Sequence, residues 1–242
     1  GSGGPHVHFE IRDKNERPMN AQLFGIEVPD HRYPIINDLY AYSLSDSSTV
    51  NQTQQRQKIS FSKQPDGTFL SEKVKAFGEI GFAIGTVDMQ DGANNNNGIY
   101  KIETNLNGET LLDLEMDKFS FAETRYINRM IDYALYEDNR VRVQKLFIER
   151  NNPLSIFKYE KNKGILNLAQ ENTTAIYTIK ISDFKGNASV LVIPIEIIKE
   201  PILSPLDKRT TPFFVQADAN QSFNVGDWKL FIPDGTFYEN IE

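Results

Sequence analysis

Residues 176–195 read IYTIKISDFKGNASVLVIPI, and this stretch decides the fold. In its first half Tyr177, Ile179 and Ile181 recur at every second position. In its second half Val190, Val192 and Pro194 alternate with Leu191, Ile193 and Ile195. A period of two belongs to a strand, whose side chains point alternately to its two faces. Between the halves lies Asp183-Phe184-Lys185-Gly186-Asn187, in which Asp, Gly and Asn are turn formers. The sequence therefore predicts an antiparallel hairpin, and the same texture extends outward from it. IGFAIGTVD (80–88) places Ile80, Phe82 and Ile84 together. NGIYKIET (97–104) and NGETLLDLE (107–115) meet at Leu106-Asn107-Gly108, where Asn-Gly is a hairpin signal. PIINDLYAYSL (34–44) supplies an earlier strand. Aromatics at 11% and short Val/Ile/Tyr/Phe/Thr runs between Gly, Asn, Asp and Pro make the chain mainly β.

The hairpin, with its Tyr-x-Ile-x-x-x-Asp-x-x-Gly-Asn spacing, resembles the last hairpin of bacterial immunoglobulin-like domains. The segment GFAIGTVDMQDGANNNNGIYKI (81–102) resembles the central strands and loop of such modules. The resemblance implies an immunoglobulin-like antiparallel β-sandwich over 28–199, in which Tyr177 is placed to tie a corner through its hydroxyl. That span is too long for a plain sandwich of about 100 residues, so something is inserted. KFSFAETRYINRMIDYALYED (118–138) breaks the period of two: Ser120 and Glu123 have capping-box spacing, and Ile127, Met130, Ile131, Ala134 and Leu135 fall at helical intervals. These residues predict one helix of about three to four turns near 119–137, buttressing the core. Arg125 and Tyr126 on it also admit a reading as a ligand platform. The Gln- and Ser-rich run at 49–69 predicts a loop before a hairpin at Pro65-Asp66-Gly67.

From residue 200 the texture changes. EPILSPLDKRTTP (200–212) is punctuated by proline and reads as a linker. FFVQADANQSF and DWKLFIPDGTFYENIE follow, with Trp228, Leu230 and Ile232 alternating. They predict the start of a further β module over 200–242.

At 242 residues the chain is long enough to bury a sizeable core. It contains no cysteine, so neither disulfides nor thiolate metal sites enter. Lys plus Arg number 26 against 33 Asp plus Glu, a net charge of −7, with no basic tract; nucleic acid is not the expected partner. No apolar run approaches the roughly 20 residues of a membrane helix.

Two of the three histidines stand one residue apart in GPHVHFEIRD (4–13). Read as a strand, this segment sets His6, His8, Glu10 and Arg12 on one face and Val7, Phe9 and Ile11 on the other, core-directed face. Two imidazoles so placed can approach one metal ion. With the following NERPMNAQLFG, the string resembles the last strand and exit loop of lysostaphin-type (LytM-like) zinc endopeptidases of bacterial cell walls. Val7 replaces the family's usual leucine. The resemblance covers residues 1 to about 25, and 1–27 is assigned as an incomplete endopeptidase-like segment. It implies that in an intact parent His8 ligates zinc and His6 is the catalytic histidine. A catalytic zinc takes three protein ligands, and the family's His-x-x-x-Asp pair is not encoded here: His31 is followed four residues later by Ile35. No zinc or other cofactor is expected in this chain, which should be catalytically inert.

The loop DMQDGANNNN (88–97) is rich in oxygen donors, with Asp88, Asp91 and Asn94–Asn97. Calcium prefers such oxygens, so Asp88 and Asp91 are a candidate pair, although the spacing is not that of an EF-hand and Asn and Asp are also common in plain turns. No phosphate-binding glycine loop or nucleophile elbow occurs. The resemblance suggests the C-terminal, extracytoplasmic region of an exported cell-wall peptidase-like protein that contacts wall peptide, glycan or an envelope protein. The alternative is a cell-surface adhesion or scaffold protein with no peptidase activity at any length.

Overall fold

The computed structural model describes residues 7–168, 173–199 and 211–241. His6 and most of the proline-rich linker lie outside the described residues. In chain order the strands are β1 (Ile11–Arg12), β2 (Pro18–Met19), β3 (Ile35–Ser43), β4 (Thr49–Val50), β5 (Gln57–Lys58), β6 (Phe61–Lys63), β7 (Phe69–Ser71), β8 (Val74–Phe77) and β9 (Glu79–Val87). They continue with β10 (Lys101–Leu106), β11 (Glu109–Glu115), β12 (Gln144–Lys145), β13 (Phe157–Glu160), β14 (Leu166–Asn167), β15 (Thr174–Ser182), β16 (Ala188–Ile197), β17 (Gln221–Val225) and β18 (Trp228–Ile232).

The predicted hairpin is the spine of the larger sheet. β15 and β16 pair along their length from Thr174↔Glu196 to Ser182↔Ala188. The sheet order is β13-β11-β10-β15-β16-β7-β6, with β8 also on β16 and β4 on β8. Its pairings are antiparallel except where β16 meets β7 and β8, which run parallel to it. The facing sheet has the order β12-β9-β3-β5, with β14 also pairing with β9. The fold is a mainly β sandwich with a short helical insert.

In β15 and β16 burial follows the alternation, while β9 is buried on both faces. Tyr177, Ile179 and Ile181 are inside, as are Leu191, Ile193 and Ile195 on the next strand. Ile80, Phe82 and Ile84 of β9 meet them from the other sheet in one continuous apolar core. Tyr177 does not tie a corner. It is fully buried, stacked on Phe82, and its hydroxyl, beside that of Thr104, has no hydrogen-bond partner of good geometry among the described residues.

The insert differs from the single helix the spacing predicts. It is a 3₁₀ segment (Phe121–Tyr126), then α1 (Ile127–Met130) and α2 (Tyr133–Asn139), with Ile131 in extended conformation (ψ 154°) between the last two. Ile131 leaves the helix to bridge with Gln144, and Asp132 starts a new one by accepting the Leu135 N–H at 2.9 Å. The capping box does not form: the Ser120 side chain makes no cap, and the Glu123 carboxylate accepts instead from the Ser155 N–H and hydroxyl, both at 2.9 Å. Tyr126 packs against the sandwich core, in keeping with a buttressing role.

The described tail belongs to a second compact unit that also includes Glu149–Asn152. There β17 and β18 form a hairpin, Val215 bridges to Ile241, and Asn151 Nδ2 donates to the Tyr238 carbonyl at 2.5 Å. Ile232 is buried, whereas Trp228 is 81% exposed.

Candidate functional site

His8 keeps the side-by-side arrangement that the strand reading gives it. Its Nε2 lies 2.7 Å from Glu10 Oε1, and Arg12 Nε donates to Glu10 Oε2 at 2.6 Å. These neighbours, His8 first, hold the Glu10 carboxyl below its ordinary range. The regular pairing is shorter than expected, covering only Ile11–Arg12 against Pro18–Met19. Val7 and Phe9 are exposed rather than core-facing, because no strand lies beside residues 7–10 among the described residues to cover them.

Of the two histidines in the His-x-His pair, only His8 lies among the described residues. His8 is exposed, its imidazole faces Glu10, and no group of three metal-capable side chains among the described residues contains it.

The hairpin is nonetheless docked. Met19 bridges with Lys118, the Asn20 N–H donates to the Asp117 carbonyl at 2.7 Å, and the Phe119 N–H donates to the Pro18 carbonyl at 3.2 Å. Arg12 lies over the Phe121 ring at 5.3 Å. After a short 3₁₀ turn (Ala21–Phe24) the chain runs as an irregular strap to β3. Side chains fix this strap to one end of the sandwich. Ser189 Oγ donates to the Pro34 carbonyl at 2.6 Å, Asn187 Nδ2 to the Asp30 carbonyl at 3.2 Å, and Arg32 Nη1 to the Ala93 carbonyl at 3.3 Å.

Three carboxylates converge where the strap crosses that end. Asp30 comes from the strap, Asp88 from just after β9, and Asp183 from the turn between β15 and β16. One oxygen from each lies within 4.8 Å of the others. Local structure holds each in place. Asp88 exchanges backbone bonds with Asn97 at 3.0 and 2.7 Å, closing the 88–97 loop. Asp183 accepts from the backbone N–H and side-chain amide of Asn187 at 2.9 and 2.6 Å. Asp30 accepts the Arg32 N–H at 3.0 Å.

Asp88 and Asp183 are each only 4% exposed, and Asp88 Oδ1 is buried without a hydrogen-bond partner among the described residues. Burial, reinforced by Asp30 and Asp183 and opposed by the Met89 N–H and Arg32, pushes the Asp88 carboxyl up to about 6.

Asp91, the companion that spacing gives Asp88, is not in this group of three. It meets His31 instead, accepting its backbone N–H at 3.2 Å and lying 2.6 Å from its Nδ1. That bond holds the Asp91 carboxyl low and the His31 imidazole high. Sequence spacing could not bring in Asp30 or Asp183, which lie far from Asp88 along the chain. The available signal was the Asp at the start of the β15–β16 turn. Comparison with known proteins finds no matching family, no matching curated protein and no matching solved structure.

Proposed function

We propose that this chain is a non-catalytic C-terminal region of an exported bacterial cell-wall peptidase-like protein, and that its sandwich positions or binds at the cell envelope. One observation supports this reading above others. The segment that resembles an endopeptidase strand and exit loop contains a hairpin docked at Asn20–Asp117 and Pro18–Phe119, just after β11. A region bearing that strand would thereby be held at the 117–121 segment that leads from β11 into the insert. The partner classes are wall peptide, glycan or an envelope protein.

Cosedimentation of the purified chain with peptidoglycan sacculi tests the reading, alongside assay for released peptide with and without added zinc. The expected result is binding without release. Release of peptide by this chain would overturn the non-catalytic role, and absence of binding to sacculi or envelope fractions would overturn the envelope role. A surface adhesion or scaffold protein is the second reading. It is favoured by the exposed β18 side chains Trp228, Leu230 and Phe231, which suit contact with another macromolecule.

A further inference from the structure

We propose that Asp30, Asp88 and Asp183 together bind one divalent cation of the calcium class, which clamps the strap ahead of β3 to the loops at one end of the sandwich. Three carboxylates alone would not carry this, since acidic clusters are common on surfaces. What sets this group apart is Asp88. It is almost wholly removed from water, yet Oδ1 has no hydrogen-bond donor among the described residues. A buried carboxylate oxygen left without a partner is costly, and the usual resolution is a hydrogen bond, a proton or a metal.

Among the described residues, the neighbouring cations do not supply it. Arg32 directs Nη1 to the Ala93 carbonyl and Nη2 to the Met89 sulfur, both at 3.3 Å, and His31 is held by Asp91. Lys185 lines the same cavity and makes no ion pair with the three aspartates among the described contacts. The cluster opens on a cavity of about 290 Å³ that is also lined by Asn20, Gln22, Gln90 and Asn97. Calcium takes about 6–8 oxygen ligands in flexible geometry, so carboxylates with amide oxygens and waters suit it. Magnesium demands a tighter octahedron and gives up water reluctantly, which fits a roomy, irregular cavity less well.

The consequence is mechanical. The three ligands come from the strap, the β9 end and the β15–β16 turn, so a cation would join the segment leading from the docked hairpin to two loops of the sandwich. Cation binding here does not depend on the envelope role proposed above.

The test is a terbium titration of the whole chain. Tyr100 lines the cavity and can sensitise a bound lanthanide. Saturable terbium luminescence displaced by calcium is expected, with a melting temperature that rises on adding calcium. Asp88→Asn should weaken binding at least tenfold while melting no lower than the wild type without calcium, because it removes a repelled charge. Asp91→Asn should leave the titration unchanged. No saturable binding at millimolar calcium would overturn the proposal, as would wild-type binding by D88N. Equal losses in D88N and D91N would overturn it in favour of the 88–91 loop. Should D88N fail to fold, Asp30→Asn, on the strap outside the sheets, must show the same loss or the proposal falls.

Discussion

The ring of Tyr177 lies stacked on that of Phe82, with centroids 5.0 Å apart and planes 19° from parallel, and this pair joins the two sheets at the centre of the sandwich. Both side chains are completely buried. Truncating either leaves a large cavity, and Phe82→Ala is expected to cost about 3–5 kcal/mol. Tyr177→Phe should behave oppositely to the usual loss of a buried tyrosine. Its hydroxyl, beside Thr104, makes no hydrogen bond of good geometry among the described residues, and burial pushes the phenol pKa up, so deletion is expected to be neutral or stabilising by up to about 1 kcal/mol. Chemical denaturation of the two variants checks both, and a clear loss for Y177F would show that the hydroxyl has a partner after all.

Asp132 fastens the insert to the facing sheet. Its Oδ2 accepts from the Tyr42 hydroxyl at 2.8 Å and from Arg56 Nη1 at 2.6 Å, while Oδ1 caps α2. Burial alone would raise this carboxyl, but the Leu135 N–H, Tyr42 and Arg56 hold it below its ordinary value. Asp132→Ala removes the cap and leaves Arg56 without its counter-ion. The expected loss is about 2–3 kcal/mol, less than for a fully buried pair because the Arg56 side chain is 31% exposed. A double-mutant cycle with Arg56→Met should show coupling of about 1 kcal/mol or more. Additive effects would mean that the ion pair contributes nothing.

The same residue shows where sequence reading of this chain runs out. Alternation in β15 and β16 reveals the sandwich because one face of each strand is buried and the other is not, whereas β9 is buried on both faces. Helical spacing over 127–135 is equally local, yet the helix breaks at Ile131. Tyr42 and Arg56, distant in sequence, draw Asp132 into the sheet, and Gln144 pairs with Ile131. No local period encodes those contacts. The carboxylate cluster follows the same logic: Asp88 stood out in an oxygen-rich loop, but its companions come from a strap and a turn that only the folded topology brings near. Asp91, the neighbour that spacing favoured, is drawn off by His31.

Gly164 is required by geometry. Its φ is +73°, and a Cβ built there would lie 2.4 Å from the Leu146 carbonyl oxygen, a backbone atom that cannot swing aside. Gly164→Ala therefore combines left-handed strain with a clash against the backbone just after β12. Each contribution is about 1–3 kcal/mol, and a total near 3 kcal/mol or more is expected. Thermal melting checks this. Gly186→Ala is the control, since its φ of +92° carries the strain without any atom within 4 Å, and it should lose less.

The docked hairpin carries its own acid titration. Asp13 accepts from Arg17 Nε at 2.7 Å, from the Arg17 N–H at 3.1 Å and from the Asn15 N–H at 2.8 Å. The Arg17 side chain is the largest cause that lowers its carboxyl to about 2, and Asp117 and Glu123 face the same guanidinium. A carboxyl whose pKa falls on folding favours the folded hairpin fully above the unfolded value near 4, and the contribution disappears as pH drops toward 2. The Asn15 and Arg17 amide resonances should therefore titrate with a midpoint near 2 in the wild type. In Arg17→Gln the midpoint should move up toward the ordinary aspartate value, because the two backbone donors remain but the charge is gone. A wild-type midpoint near 4 would show that the Asp13–Arg17 contact does not persist in solution.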